Sequence, residues 1–390
     1  MSKLKGESFF EYLVRTTEDL TAGLISYDEY GKKLLEEENN YSPDNWRKFY
    51  YIFNKLMPKI LTDMKDTIEA ETVLEALEER QKEVYKAEIR MRDQRRELRK
   101  YQTAEARYEH LLETVLSAMD EFEKPETAIF GSYRNDSDEN TSAVLMLSDW
   151  HAGFYIDNQF NYYDTQVMEE RAKDIFEKAI RYSIVHKVSK LYIEINGDMI
   201  HGLINVSNRV QSEEDVAEQV VHVSKLLSDL INGLVPYFKE ITVITTIGNH
   251  GRMFQDKAAC LTKENFEKLV AEFLRLRLQK GIKLITSQAE DFTSYTINGK
   301  MICLAHGQYD KLNSAVKDFA LMYKTLPDEI HLGHTHSYKD INDNDALVVV
   351  NGSLCGADDY AITLRKVTKP SQNFIVYGKD RCIYVLTSDK

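Results

Sequence analysis

Eight residues able to hold metal or move protons stand at the ends of five strand-like runs. Ala143 to Leu147 leads into Ser148-Asp149-Trp150-His151, and Tyr192 to Asn196 into Gly197-Asp198. Ile241 to Ile247 leads into Gly248-Asn249-His250, Met301 to Leu304 into Ala305-His306-Gly307, and Glu329 to Leu332 into Gly333-His334-Thr335-His336. Short apolar runs with β-branched and aromatic character read as buried strands. Asp149 and His151 are two apart, as are His334 and His336, so in an extended segment each pair faces one way. A carboxylate at the C-terminal end of a buried strand points into the crevice where open α/β sheets bind ligands. Carboxylate, amide oxygen and imidazole without thiolate form a donor set suited to manganese, iron or zinc. It is about what two ions need if one carboxylate bridges them, with one group to spare for catalysis. One strand-Gly-Asp is an ordinary turn; five such strand ends in series are not.

The elements that position these residues begin at about residue 143. Strands are expected at 143–148, 190–196, 240–247, 282–286, 292–297, 300–305, 329–332 and 346–351, with a hairpin over 373–387 turning at Gly378. Helices are expected near 165–186, 213–235, 263–280 and 312–324. This is an α/β (α+β) pattern with substantial antiparallel pairing late in the chain. Residues 126–142, polar and without periodicity, read as a linker.

Residues 1–125 have the texture of helix, with little Gly or Pro. Ser26 precedes one polar helix. Ser42-Pro43-Asp44 starts another, with Ser42 as N-cap and Pro43 at the first helical position. Its wide apolar face, Trp46 to Met57, is aromatic rather than basic, which favours a packing module over a DNA-reading helix-turn-helix. From about 66 to 118 one long helix carries an imperfect heptad seam. Leu77, Val84, Met91, Leu98 and Leu112 hold one position of it; Val73, Ala87, Tyr101, Tyr108 and Val115 hold the other. A partly coiled-coil region and a homo-oligomer are expected. Within that helix Arg90, Arg92, Arg95, Arg96, Arg99 and Lys100 crowd together, either a solvated face or a phosphate-contacting surface.

The 390 residues hold 63 Asp and Glu against 50 Lys and Arg, a net charge of −13. That balance opposes broad electrostatic attraction to nucleic acid but leaves room for a local basic groove or a metal centre. Cys260, Cys303, Cys355 and Cys382 form no CxxC pair, so neither a disulfide framework nor a cysteine zinc site is expected. No apolar run reaches the length of a membrane span and no signal-peptide core is present, so the reading is a soluble, cytoplasmic protein.

Asp149-x-His151, Gly197-Asp198, Gly248-Asn249-His250, His306 and Gly333-His334-x-His336 together resemble the complete signature of the calcineurin-like metallophosphoesterases, over residues 143–352. The resemblance implies an αββα sandwich in residues 143–390, preceded by the helical region, with a two-metal site at the strand ends. It implies that Asp149, His151 and His336 hold one metal, that Asn249, His306 and His334 hold the other, and that Asp198 bridges. His250 matches the family's catalytic histidine that is not a ligand. Manganese is the expected metal, with ferrous iron and zinc as alternatives.

Phosphoprotein phosphatases carry Asp-Arg-Gly after the Gly-Asp and Glu after the Asn-His. Here Met199-Ile200-His201-Gly202 and Gly251-Arg252 stand instead. Gly197-Asp198-Met199-Ile200-His201 is similar to the Gly-Asp-apolar-x-His of the DNA double-strand-break-repair exonucleases. That likeness implies DNA as substrate and His201 as a residue orienting the strand; the alternative is a capping or packing role. The helical N-terminal extension departs from that branch. Asn351-Gly352-Ser353-Leu354 and Asp358-Asp359-Tyr360 form a substrate rim or a turn. A phosphatase or diesterase for nucleotides or other small esters is the alternative activity. A decayed scaffold for an interaction module is disfavoured by the intact ligand set.

Overall fold

Strands that alternate with helices pair in parallel, and parallel strands deliver their C-terminal ends to one edge. That rule organises this molecule. The computed structural model describes residues 4–6, 9–30, 47–48, 50–53, 55–56, 78–96, 98–99, 102, 113–114, 117, 126–133, 136–204, 210–254, 264–287, 291–343 and 345–390. The chain divides into two compact units, Met1–Arg107 and Tyr108–Lys390.

The larger unit holds two sheets. Strands β1 (Asp138–Leu147), β4 (Val188–Asn196), β5 (Glu240–Thr246) and β6 (Lys283–Thr286) lie parallel, in that order. On the other side of β1, β12 (Ser371–Tyr377) and β13 (Arg381–Thr387) add antiparallel pairs. The second sheet runs β10 (Lys339–Asp343), β11 (Ala346–Val350), β9 (Glu329–Leu332), β8 (Lys300–Ala305), β7 (Phe292–Ile297). Its middle strands β11, β9 and β8 are parallel. A small hairpin, β2 (Ile156–Asn158) and β3 (Asn161–Tyr163), follows β1.

Side-chain alternation sets the layers. Leu145 and Leu147 of β1, Leu191, Ile193 and Ile195 of β4, and Ile241 and Val243 of β5 face a core shared with three helices. These are α2 (Thr165–Val185), α3 (Val216–Leu234) and α4 (Glu267–Arg277), and their buried stripes supply Ile175, Val220, Leu227 and Leu274. Val144 and Met146 point the other way, to Ile297, Ile302, Leu304 and Val349 of the second sheet. The far face of that sheet is covered by α5 (Ala315–Tyr323) through Val316 and Phe319. The result is the expected αββα sandwich. α2 starts at Asp164, whose carboxylate accepts from Val167 N–H, and α3 starts with a reciprocal capping box of Asp215 and Glu218.

One polar network interrupts the apolar seam between the sheets. His331 of β9 sits 2.7 Å from Glu194 of β4 and 3.4 Å from Glu329. Tyr295 donates to Glu194 at 2.5 Å, Tyr377 to Glu329 at 2.9 Å, and Arg381 to Glu329 at 3.1 Å. Every buried charge is thus paired or hydrogen-bonded, as burial demands.

The structure departs from the expected linker over 126–142. Ala128 N–H donates to Lys280 O, Lys280 N–H to Glu126 O, and Gly131 N–H to Val235 O, while 138–142 already belongs to β1. Backbone hydrogen bonding to the body, invisible to composition, fixes this polar stretch. The hairpin β2–β3, strand β10 and the short helix α6 (Asp359–Thr363) were not expected, being too brief for a periodic signal. Asp358 caps α6, so the 358–360 segment is a helix start rather than a plain turn.

In the smaller unit, α1 (Phe9–Thr21) packs Tyr12 against Tyr30, and Thr17 bonds the Tyr30 hydroxyl at 2.8 Å. Ser26 and Glu29 form a capping box ahead of 27–30. Residues 78–96 are helical, with Met91 and Leu98 exposed. The Ser42 cap and the seam positions Val73, Leu77, Tyr101, Tyr108, Leu112 and Val115 lie outside the described residues. Among the described residues no helix is long and apolar enough to cross a membrane.

Candidate metal centre

The five parallel strands β1, β4, β5, β8 and β9 all end at one edge of the sandwich, and their following residues meet there. Backbone pairing continues past the strands: Asp149 N–H donates to Gly197 O, His151 N–H to Asp198 O, and Gly333 N–H to His306 O. Asp149, His151, Asp198, His334 and His336 all have positive φ, between 50° and 64°. A left-handed residue after a strand turns its side chain sharply into the crevice, at a conformational cost. Gly197 and Gly248 are back to back: a Cβ on Gly197 would lie 2.5 Å from Gly248 N, and one on Gly248 2.1 Å from Asp198 Oδ1. Only glycine allows the Asp198 and Asn249 turns to come so close.

Asp198 is central. Its Oδ2 lies 3.0 Å from His306 Nε2, and its Oδ1 accepts His250 N–H at 2.7 Å. Asp198, His306 and His334 place three ligand atoms within 4.8 Å of one another, and so do Asp149, His151 and Asp198. His336 Nε2 stands 3.3 Å from Asp149 Oδ1 and 3.2 Å from His151 Nε2. The structure therefore brings Asp149, His151, Asp198, His306, His334 and His336 into one cluster. Asn249 is carried in on the turn after β5, beside Asp198.

Whether this cluster fits cations can be tested on its own atoms. His151 Nδ1 and Asn249 Oδ1 are buried without a hydrogen-bond partner, while Asp149 Oδ1 and His306 Nε2 crowd against other ligand atoms of the cluster, at 3.3 and 3.0 Å. Orphaned buried lone pairs are rare and costly. Two such atoms beside two crowded carboxylate–imidazole pairs, all oxygen or imidazole, are what metal ions would satisfy. Histidine protonation agrees. His306 donates Nδ1–H to Asn196 O at 2.8 Å, which turns Nε2 toward Asp198. Burial, and the nearby His250 ring, hold His151 well below its ordinary value. Burial likewise lowers His334, with His306 adding to it. Burial opposes charge on His306 and His336 as well, but Asp198 pushes the first up to about 10 and Asp149 raises the second well above normal. Protons on His306 and His336 offset the two carboxylates, a role that bound cations would take over.

His250 donates Nδ1–H to His201 O at 2.9 Å, leaving Nε2 as the nitrogen that can exchange a proton. Its ring centroid is 4.4 Å from that of His151. His201 is buried, stacks on Phe154 with centroids 3.9 Å apart, and lies 5.6 Å from the His250 ring. Both of its ring nitrogens lack a partner, and burial together with His250 keeps it well below its ordinary value. His201 thus packs at the centre itself and caps nothing.

The strand-end donors that carry the sequence's resemblance to the calcineurin-like metallophosphoesterases are thus brought together at one edge of the sandwich. No protein-family model matches the sequence. The SPbeta prophage-derived uncharacterized protein YonJ of Bacillus subtilis (strain 168) is 22% identical over 393 residues, covering 97% of this chain and 95% of its own. Among solved structures, a novel archaeal phosphodiesterase aligns over 62% of this chain and 99% of its own, at 15% identity and TM-score 0.33. A predicted phosphoesterase of Streptococcus pneumoniae TIGR4 aligns over 64% and 92%, at 12% and 0.30. Vps29 of Entamoeba histolytica complexed with Zn2+ aligns over 64% and 94%, at 14% and 0.29. The functional reading rests on this chain's own residues.

Two residues at this strand-end centre carried no signal in the sequence. Glu267, the first residue of α4, is buried and accepts from Met199 N–H and Gly248 N–H, both at 2.5 Å, so it ties together the turns that carry Asp198 and Asn249. Burial, reinforced by Asp198, pushes its carboxyl up to about 7. Cys355 lies in the loop after β11, its thiol within 4.8 Å of ligand nitrogens of His151 and His336. No spacing rule links either residue to the strand-end motifs. Arg92, Arg95, Arg96 and Arg99 are exposed on the helix of the smaller unit; Lys100 lies outside the described residues.

Proposed function

We propose that the chain is a two-metal phosphodiesterase acting on DNA. Asp149, His151 and His336 would hold one ion, Asn249, His306 and His334 the other, with Asp198 between them. Divalent ions held by these residues would supply Lewis-acid activation of a water and stabilisation of phosphate charge in an in-line displacement. The chain's part is to fix that geometry. Asp198 neutralises part of the paired charge. His250, its Nδ1 engaged by the His201 carbonyl, presents Nε2 to donate a proton to the leaving oxygen when the ring is charged. No covalent phospho-enzyme is required.

The observation that carries the step from phosphoester to DNA is His201. It follows Asp198 at the spacing of the repair nucleases, and it packs against Phe154 beside His151 and His250 rather than away from the centre. From there it can orient a strand passing over the metals. A net charge of −13 favours a second reading, a small nucleotide or phosphate ester as substrate. Assays with manganese, ferrous iron or zinc across single-stranded, duplex and end-labelled DNA separate the two. DNA cleavage is expected, with single strands or duplex ends preferred. Hydrolysis of nucleotides or a chromogenic diester with no cleavage of any nucleic acid would transfer the assignment to the small-ester reading.

A further inference from the structure

We infer that Cys355 supplies a sulfur donor to the ion held by Asp149, His151 and His336, which makes that half of the centre a thiolate-containing site. The inference rests on the metal-centre reading above and adds a ligand to it. Cys355, His151 and His336 place Sγ and two imidazole nitrogens within 4.8 Å of one another, and Cys355 and His151 are buried. Asp149 Oδ1, also buried, lies 3.3 Å from His336 Nε2, and the buried His151 Nδ1 has no hydrogen-bond partner. The thiol contacts the neighbouring Gly356 carbonyl at 3.6 Å and hydrogen-bonds the His336 ring, so the sulfur already faces an imidazole of the cluster.

The loop beneath it, by contrast, is held at many points. Leu354 N–H donates to Asp149 O at 3.1 Å, tying the cysteine's neighbour to the strand end that bears the first ligand. Arg171, a buried arginine of α2, donates to Leu354 O and Cys355 O, both at 3.0 Å. Asn161 Nδ2 donates to Cys355 O at 2.7 Å, and Ser353 Oγ accepts Gly356 N–H at 3.2 Å. Such support is what a fixed first-sphere ligand needs. A plain surface turn would not require a buried guanidinium to hold two successive carbonyls.

The consequence is a change in metal preference. Oxygen and imidazole alone leave manganese acceptable; a thiolate selects for zinc or ferrous iron. Coordination requires loss of the thiol proton, so uptake of the ion at this position would release one.

The test is a cobalt(II) titration of the metal-stripped full-length chain, wild type and Cys355→Ser. Wild type should show a sulfur-to-cobalt charge-transfer band in the near ultraviolet along with visible ligand-field absorption. C355S should lose the first and keep the second, whereas Cys382→Ser, on the outer strand β13, should keep both. Zinc affinity should fall about 10–100-fold in C355S, with manganese affinity little changed. X-ray absorption of the zinc-loaded wild type needs no variant and should show a sulfur shell at about 2.3 Å. Cobalt binding without the charge-transfer band, or a band indifferent to C355S, overturns the sulfur ligand and leaves the metal centre standing. Failure of wild type to bind cobalt at all overturns both.

Discussion

A left-handed backbone is where this chain keeps its donors. Of the ten non-glycine residues with positive φ among those described, Asp149, His151, Asp198, His334 and His336 are five, and they sit together. Each costs on the order of 1–3 kcal/mol and persists only because neighbouring structure over-determines it. The cost has a purpose if the side chains must converge, and convergence separates residues by role. Asp198 touches His306 through one oxygen and His250 N–H through the other. Asp198→Asn, which keeps the shape and removes the charge, should therefore lower occupancy of both ions together, read by equilibrium dialysis and elemental analysis. By the sequence resemblance His250 belongs to the other class, its ring held by the Nδ1 hydrogen bond to the His201 carbonyl. His250→Gln should keep most of the metal while turnover falls roughly 10²–10⁴-fold. Metal loss in step with activity would make His250 a ligand instead.

Two strands of different sheets, β4 and β9, lead into Asp198 and into His334 and His336, so the sheets must hold a fixed register. The Glu194–His331–Glu329 bridge ties these two strands together across the seam. Burial disfavours a charged His331, but Glu194 and then Glu329 push it up to about 9 from 6.5. That stabilisation is complete below about 6.5, where the ring is charged folded or unfolded, and is lost as pH rises through about 9. Glu329, held low by His331 and Arg381 against its burial, contributes the opposite edge: its share is lost as pH falls below the usual carboxylate range. Urea unfolding should thus give a midpoint that drops between pH 6.5 and 9 in wild type and is much flatter in His331→Gln. Equal slopes in both would remove His331 as the cause. None of this network was legible beforehand. Strand ends announce themselves because Gly, Asp and His break an apolar run, and β7, β8 and β9 fell where that punctuation placed them. A buried Glu inside a strand looks like an exposed one, and Glu267 or Cys355 reaches the centre through tertiary packing that no spacing encodes.

For the whole molecule, the same contrast separates the two units. The αββα body could be read because its pattern alternates and is punctuated. The helical region offered only a broken heptad, and a heptad states that a face wants covering without stating what covers it. Met91 and Leu98, both seam positions, are exposed, and Arg92, Arg95, Arg96 and Arg99 lie exposed on the same helical stretch. One experiment addresses both features. Residues 126–133 must be retained, because Glu126, Ala128 and Gly131 hydrogen-bond into the body. Removal of 1–125 should then leave a folded, metal-binding monomer, while the full chain sediments as a dimer or larger at micromolar concentration. A full chain that sediments as a monomer would place the seam's partner within its own chain. If the arginines meet backbone phosphates, reversing Arg95 and Arg96 to Glu in the full chain should weaken DNA binding at all sequences alike. It should also flatten the salt dependence by about one to two units of slope. The rate on a small chromogenic diester should stay unchanged, because that substrate needs only the strand-end centre. An unaltered salt slope would make the arginine cluster a solvated helix face, and the DNA contacts would then have to come from the body itself.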